Sequence, residues 1–221
     1  MALILNIDTS LETASVSIAA DGKILQAEIN DVQKEHASFL HPAIEKIMKA
    51  AGLSLQQIDA IAVTEGPGSY TGLRVGMASA KGLSYALNKP FITVNTLAAI
   101  AATVIEAEQK NVLYAPMIDA RRMEVFTAVY DQQLEIKMPP VAMVLHENSF
   151  SEFLSSQQII FCGNGMPKWK TLVNSGNAAF SDVKDIFTSI SILSHRKFTT
   201  KEFTDIAHSE PLYIKEFYNG K

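Results

Sequence analysis

The chain has 221 residues, 48% of them hydrophobic, and a formal net charge of −4 at neutral pH. That length allows one large domain or two small ones, and the apolar content is sufficient for a substantial core. No run of Lys or Arg stands out, which argues against strong unaided binding to a polyphosphate chain. Cys162 is the single cysteine, so an intrachain disulfide is excluded.

The N-terminal segment is apolar but lacks the basic residues that precede the apolar core of a signal peptide. Apolar segments elsewhere are shorter than the roughly 18 uncharged residues of a membrane span. Together with the low cysteine content, these features predict a cytoplasmic protein with no membrane attachment.

Three strands open the chain, and helices and strands then alternate. The strands are expected over residues 3–7, 13–19 and 23–30, with Asp21-Gly22 as a hairpin turn. Helices over 35–51, 73–87 and 97–108 alternate with strands over 59–64 and 91–94. Pro42 is expected to kink the first helix or to make it begin afresh. This order is typical of a ribonuclease H-like fold.

The second half of the chain has a weaker version of the same pattern. Strands are expected over 112–118, 123–130, 134–137 and 158–162, with a bend at Pro139-Pro140. Helices are expected over 148–155, 166–173 and part of 188–203, and 211–214 is expected to be extended. Two copies of one plan predict two lobes, residues 1–108 and residues 109–221.

Residues 64–76, Thr-Glu-Gly-Pro-Gly-Ser-Tyr-Thr-Gly-Leu-Arg-Val-Gly, join a buried strand to a long apolar helix. Gly66 and Gly68 allow positive φ and close backbone approach, and Ser69 or Thr71 can cap the helix, as at an anion-binding corner. Gly72 belongs to the same structural motif. The stretch matches neither a P-loop nor a dinucleotide fingerprint. A tight turn without a ligand is therefore an equal alternative. Arg74 is expected to form an internal ion pair, for which Glu65 and Asp8 are the candidates, with a partner or anion contact as the alternative.

Asp8, Thr9 and Ser10 follow the first strand, where a carboxylate and two hydroxyls can hold Mg²⁺ and nucleotide phosphates. The favoured alternative is that Asp8 caps its own turn. His36 and His41 are about 140° apart around the first helix axis, so they cannot share a metal within it. Both are expected at the surface or in an interface.

The helix over 73–87 is apolar on all sides and must be covered on both. One side can pack on the sheet. The other side can be covered by the helix over 35–51, by a second chain approaching over Ala78 and Gly82, or by both together.

Several segments together resemble the TsaB (YeaZ) family, the bacterial accessory subunits for making threonylcarbamoyladenosine at adenosine 37 of tRNA. The segments are Ile7-Asp8-Thr9-Ser10, residues 65–76, Lys81-Gly82-Leu83, Asp119-Ala120-Arg121-Arg122 and Pro211-Leu212-Tyr213-Ile214. The resemblance implies the two-lobed α/β fold of actin, heat-shock chaperones and sugar kinases, the ASKHA fold.

The resemblance also implies a non-catalytic role. The catalytic relative, TsaD, carries a metal-binding His pair where this chain has Thr96 and Ile100, so no metal, cofactor or catalytic residue is expected here. The expected partners are a TsaD-type subunit and a TsaE-type ATPase, with a homodimer when the chain is alone and tRNA contact only through the complex. The residues expected at the partner or dimer interface are Phe39, Leu40, Ile44, Ile47, Met48, Val75, Ser79 and Gly82.

Two other functions stay open. An ATP-dependent phosphotransferase or ATPase of the same fold would use Asp8, Thr9 and Ser10 with the glycines Gly163 and Gly165 around a nucleotide, a site expected to be vestigial here. A metallopeptidase is disfavoured because the His-Glu pair at 146–147 lacks the second histidine of a zinc motif.

Overall fold

The computed structural model describes residues 1–32 and 35–215 and divides the chain into two compact units. The first unit comprises 1–96 and 185–212, and the second comprises 97–184 and the segment that begins at Tyr213. The units therefore interleave in sequence and do not follow a linear division at 108/109. The reason is that a late helix returns to the first sheet.

The first unit is built on a five-stranded mixed sheet with the order β3-β2-β1-β4-β5. Its strands are β1 (Leu3–Asp8), β2 (Ala14–Ala20), β3 (Lys23–Asn30), β4 (Ala60–Gly66) and β5 (Phe91–Asn95). The first three strands pair antiparallel, and β1, β4 and β5 run parallel. Asp21 and Gly22 both have positive φ, which confirms the predicted hairpin turn.

Two helices, α1 (His36–Ala50) and α2 (Tyr70–Leu87), cover one face of this sheet and pack on each other. The apolar stripe of α1, which includes Leu40 and Ile47, meets β-strand residues such as Leu5 and Val16 in one buried core. Helix α1 is continuous through Pro42, so the predicted restart near His41 is wrong. Pro42 is exposed, which leaves room for its ring outside the packed face.

The opposite face of the sheet is covered by α6 (Phe187–Thr199), which packs across the first five strands. A buried polar cluster joins the two layers. Asn6 donates to the Ser191 hydroxyl at 3.2 Å and accepts from the Ser194 hydroxyl at 2.6 Å. Because buried polar groups need partners, these serines specify where α6 sits on β1.

The second unit repeats the plan of the first, with sheet order β10-β9-β6-β7-β8. Its strands are β6 (Leu113–Asp119), β7 (Glu124–Tyr130), β8 (Ile136–Val144), β9 (Ile159–Cys162) and β10 (Ala178–Ser181), and its helices are α3 (Thr96–Glu108), α4 (Ser151–Leu154) and α5 (Met166–Lys170). Both sheets have three antiparallel strands followed by two parallel ones. The predicted duplication of one α/β plan is confirmed.

None of the helices in the described part of the chain combines the length and apolar character needed to cross a bilayer.

Strand β8 differs from the prediction because it runs through Pro139 and Pro140 instead of bending there. It is an edge strand, so a missing backbone donor can face away from the ladder. Strand β10 was not predicted at all.

Behind the sheet, Phe150, Phe161 and Trp169 form an aromatic cluster with ring centroids 5.2 to 5.7 Å apart.

We expect Asn6→Ala to lower the free energy of unfolding by about 1–3 kcal/mol, because the buried hydroxyls of Ser191 and Ser194 lose their shared partner. Urea unfolding followed by circular dichroism measures this change. Asn111→Ala, at an exposed position, is the matched control and should be nearly neutral. Equal stability of the two variants would contradict the role of the polar cluster.

Candidate site at the glycine-rich turn and on the exposed face of α2

The glycine-rich stretch between β4 and α2 packs directly against the loop that follows β1. A Cβ atom on Gly68 would lie 2.1 Å from the Ser10 carbonyl oxygen, and one on Gly72 would lie 2.0 Å from that of Thr9. At Gly76 it would lie 2.3 Å from the Thr9 hydroxyl. These distances exclude a side chain at all three positions. Gly68 and Gly72 are needed for close approach of backbone to backbone, and Gly76 leaves room for the Thr9 side chain.

Several polar groups of this turn have partners within the chain. The Ser69 N–H donates to the Ser10 carbonyl at 2.7 Å, and the Gly72 N–H donates to the Ser69 hydroxyl at 3.3 Å, so Ser69 is the N-cap of α2. The Thr9 hydroxyl donates to the Gly72 carbonyl at 2.7 Å. Because these amides are used internally, the contacts favour the tight turn without a ligand over an anion-binding corner.

Gly66 has a φ of +113°, a conformation that favours glycine, and it lies beside the segment around Leu212. The Leu212 N–H donates to the Glu65 carbonyl at 2.7 Å. Two of the segments on which the family resemblance was based are therefore in contact within the first unit.

Asp8 lies beneath this turn and is 3% exposed. Its Oδ1 accepts hydrogen bonds from the Ser10 N–H at 2.9 Å, the Ser10 hydroxyl at 2.6 Å and the Thr64 hydroxyl at 2.8 Å. The predicted alternative, in which Asp8 caps its own turn, describes this geometry. Thr64 was missed by the sequence analysis, because a threonine in an apolar strand gives no sign of its partner.

Burial raises the pKa of the Asp8 carboxyl above its ordinary value, although hydrogen bonds from Ser10 and Thr64 act in the opposite direction. A carboxyl in this setting is a structural acceptor. Its Oδ1 already accepts three internal hydrogen bonds, which favours this structural role over coordination of a metal-bound nucleotide.

Gly163 and Gly165 belong to the second unit and make an equivalent close approach to β6. A Cβ atom on Gly163, where φ is +91°, would lie 2.5 Å from the Met117 carbonyl oxygen. A Cβ atom on Gly165 would lie 2.9 Å from Val125 and 3.0 Å from the Ile118 carbonyl carbon. Within their own unit, both glycines are required for packing.

Arg74 lies on the first turns of α2 and is exposed. Its guanidinium carbon lies 4.2 Å from the centroid of the Tyr70 ring, a cation–π contact within one helical turn. Asp8, one of the two carboxylates proposed for Arg74 from the sequence, is instead bonded to Ser10 and Thr64.

The residues expected at a partner interface separate into two groups in the structure. Leu40, Ile44, Ile47 and Met48 are at most 4% exposed and pack in the core against the sheet. Leu40 and Ile47 cannot be contacted without opening that core, whereas Ile44 and Met48 also line a surface groove. Phe39, Val75 and Ser79 are partly exposed, and Gly82 is exposed.

The accessible face of α2 carries small residues beside one large aromatic. Ala78 and Gly82 are exposed, and a Cβ atom on Gly82 would meet nothing within 4 Å. Tyr85 follows three residues later and is 81% exposed. The helical period of α2 predicts that these small residues share one face. It does not predict that Tyr85 is exposed, because that exposure follows from the packing of Leu83 and Leu87 on the core.

Beside this face, α1, the segment that follows it and Leu83 of α2 line a groove of about 340 Å³. Its lining residues are His41, Ile44, Glu45, Met48, Lys49, Leu53, Leu55 and Leu83. Apolar side chains form its floor, and His41, Glu45 and Lys49 form a polar rim. Such a rim around an apolar floor is typical of a protein-binding surface.

The histidines of α1 have different environments. His41 is exposed, as predicted, but His36 is only 4% exposed and its Nε2 lies 3.0 Å from the Glu12 carbonyl oxygen. The prediction that both lie at the surface or in an interface is wrong for His36, because the loop after β1 of the same chain covers it. Cys162 is fully buried on β9, and burial raises the pKa of its thiol, so it is unreactive.

The fold and the turn define an α/β protein of the two-unit, actin-like (ASKHA) class. A family model described as TsaD: tRNA N6-adenosine threonylcarbamoyltransferase matches residues 27–211. The solved structure described as YeaZ from Pseudomonas aeruginosa is 27% identical, with a TM-score of 0.82 over 96% of this chain and 100% of that chain. The ethanolamine utilization protein EutJ from Carboxydothermus hydrogenoformans, 7% identical, shares the fold over 88% of this chain and 89% of that chain, with a TM-score of 0.53.

Among curated proteins, the tRNA threonylcarbamoyladenosine biosynthesis protein TsaB of Haemophilus influenzae is 32% identical over 217 residues. The match covers 96% of this chain and 83% of that relative. The chain belongs to the TsaB (YeaZ) family. The resemblance based on the glycine-rich stretch is thereby confirmed.

We expect Gly72→Ala to lower the free energy of unfolding by at least about 2–3 kcal/mol, because the new methyl group would overlap the Thr9 carbonyl oxygen. Gly82→Ala, on the same helix but facing open space, should instead raise it by about 0.5–1 kcal/mol. Chemical denaturation of both variants measures the difference. A neutral Gly72→Ala substitution would disprove the close-packing role.

The raised pKa of Asp8 predicts an unusual pH dependence. Between the ordinary value of 3.8 and the raised one, the folded chain binds more protons than the unfolded chain, so stability falls as pH rises through that window. Asp8→Asn keeps an acceptor oxygen and removes the ionisation, so it should gain stability relative to the native chain as pH rises. Urea unfolding measured from acid to neutral pH tests this.

Asp119→Asn is the control of opposite sign. Partial burial opposes ionisation of Asp119, but hydrogen bonds from Lys168 and from the Arg121 N–H outweigh it and hold its pKa below the ordinary value. Its contribution to stability is present above the ordinary value and is lost as pH falls through the lowered one. Parallel pH profiles for the two variants would contradict this assignment.

Proposed function

We propose that this chain is a non-catalytic accessory subunit that binds a TsaD-type subunit and supports its transfer of the threonylcarbamoyl group to adenosine 37 of tRNA. The observation that carries the proposal is the accessible face of α2, where Ala78 and Gly82 leave room for a second helix beside the exposed Tyr85. Membership of the TsaB family supplies the pathway.

We infer that the chain is not catalytic from the packing of the glycine-rich turn against Asp8, at the corner where nucleotide-binding members of this fold hold their ligand. Asp8 is hydrogen-bonded three times and buried, and the amides of Ser69 and Gly72 are used internally. The phosphotransferase alternative would require this carboxylate to reach a metal ion, so the packing of the turn speaks against it. The accessory role requires only a rigid surface.

Small residues at a helix surface let two backbones approach closely, and aromatic side chains supply much of the binding free energy of protein interfaces. The groove beside α2 extends this surface. Phe39 and Val75 are partly exposed and pack against the core beneath α1 and α2. We infer that a helix of the TsaD-type subunit packs along α2 and that the same face pairs two copies of this chain when the partner is absent.

A TsaE-type ATPase is expected to join the pair, and tRNA is expected to be modified only by the assembled complex in the cytoplasm. In this role the chain acts by stabilising the competent conformation of its partner. Co-purification with the TsaD-type subunit of the same cell tests assembly. A tRNA modification assay with and without this chain then tests its contribution, and turnover of ATP or tRNA by this chain alone would overturn the proposal.

We expect Ala78→Arg to weaken binding to the TsaD-type subunit by roughly 30-fold or more, which is the effect of losing about 2 kcal/mol at the centre of an interface. The matched control is Ala107→Arg, the same change at an exposed position of α3. Titration calorimetry measures both affinities, and thermal melting verifies that both variants fold. Equal affinities of the two variants would show that α2 is not part of the interface.

A further inference from the structure

The turn between β6 and β7 has a backbone conformation that its sequence does not favour. Arg121 and Arg122 both lie in the left-handed region, with φ of 69° and 49°. Adjacent left-handed residues in a hairpin are ordinarily Asn-Gly or Asp-Gly, because a Cβ atom is strained there. Such strain persists only where the surroundings impose it, and it is frequent at functional sites.

Contacts from the neighbouring elements hold this turn in place. Asp119 Oδ1 accepts from the Arg121 N–H at 2.6 Å and from Lys168 Nζ at 2.6 Å. The Asp119 N–H donates to Asn164 Oδ1 at 2.9 Å, and Lys168 also donates to the Glu124 carbonyl at 3.2 Å. The Arg121 N–H is therefore held by Asp119 and the Arg121 carbonyl by the Glu124 N–H, and Lys168 of α5 links Asp119 to β7.

The charges around the turn leave its two guanidinium groups available. Asp119 is paired with Lys168, and Glu124 with Lys215. Arg121 and Arg122 are exposed, and within residues 1–32 and 35–215 neither guanidinium forms a hydrogen bond or an ion pair. The two carboxylates of the turn are thus paired with lysines, so the charges of both arginines remain exposed at its tip in a chain whose net charge is −4.

We propose that this turn, defined as residues 119–124, binds phosphodiester groups of RNA through Arg121 and Arg122. A guanidinium is planar and donates two parallel hydrogen bonds to one phosphate, so two adjacent arginines match a chain of phosphates. That the RNA is the tRNA of the modification reaction rests on the proposed function.

An acidic protein segment is the competing occupant. RNA fits better because the turn presents two guanidiniums on a narrow hairpin tip, whereas protein interfaces are built around a buried apolar or aromatic centre. Only two phosphate contacts are involved, so the isolated chain should bind RNA weakly and with strong salt dependence. This agrees with tRNA being held firmly only in the complex.

The test uses the full chain alone, fluorescently labelled unmodified tRNA, and anisotropy titrations over a range of salt concentrations beginning at low ionic strength. The Arg121→Asn/Arg122→Gly double variant removes both guanidiniums and relieves the strained backbone. We expect its affinity for tRNA to fall at least about tenfold and the slope of log K against log salt to fall by about 1.4–1.8, the value for two lost contacts. We expect its Tm to stay equal or to rise.

Arg196→Asn, which removes an exposed arginine from α6, is the matched control and should leave both tRNA affinity and salt slope unchanged. Poly-L-glutamate is the competitor that represents an acidic protein. The proposal is overturned if the native chain binds no tRNA at low salt, if the double variant binds as tightly as the native chain, or if polyglutamate displaces tRNA as well as unlabelled tRNA does. Assembly with the TsaD-type subunit is measured separately through Ala78→Arg and needs no RNA, so the two proposals fail independently.

Discussion

The first unit depends on the close approach of α2 to the loop after β1. The carbonyl oxygens of Thr9 and Ser10 lie where any side chain at Gly72 and Gly68 would have to be. This contact fixes the start of α2 against β1 and β4 and covers Asp8. Van der Waals repulsion is steep, so a difference of one methyl group decides whether the corner closes. The glycine pattern is therefore a packing requirement, and its likeness to a phosphate-binding loop comes from the same need for close backbone approach.

In the accessory role proposed above, the closed corner leaves a binding surface, and not a catalytic site, as the functional feature of the first unit. Asp8 is hydrogen-bonded beneath the turn, so the polar groups at the ends of β1 and β4 stabilise the fold. The exposed side of α2 is then the feature of the unit that a partner can reach. The core side of α1 and α2 holds the helices rigidly on the sheet, and rigidity reduces the entropy lost when a partner binds. The fold is shared with EutJ at 7% identity, so architecture alone does not specify function.

Local patterns predicted much of this structure, and tertiary contacts decided the rest. The hairpin at Asp21-Gly22, the cap at Ser69 and the duplicated strand order follow from turn chemistry and periodicity over a few residues. The apolar stripe of α1 was visible, but periodicity cannot tell whether a sheet or a partner covers it, and Leu40 and Ile47 proved to face the sheet. Pro139 and Pro140 suggested a bend because edge position in a sheet is not encoded locally. The pairing of Asn6 with Ser194 joins residues too far apart in sequence for any local rule.

The return of α6 to the first sheet has a consequence for synthesis on the ribosome. The sheet strands β1 to β5 are complete by residue 95, yet the face that carries Asn6 is covered only by residues 187–199. A nascent chain therefore emerges with one apolar side of its first sheet open while the whole second unit is translated. Molecular chaperones that hold exposed apolar surface have their longest opportunity to engage this protein during that interval.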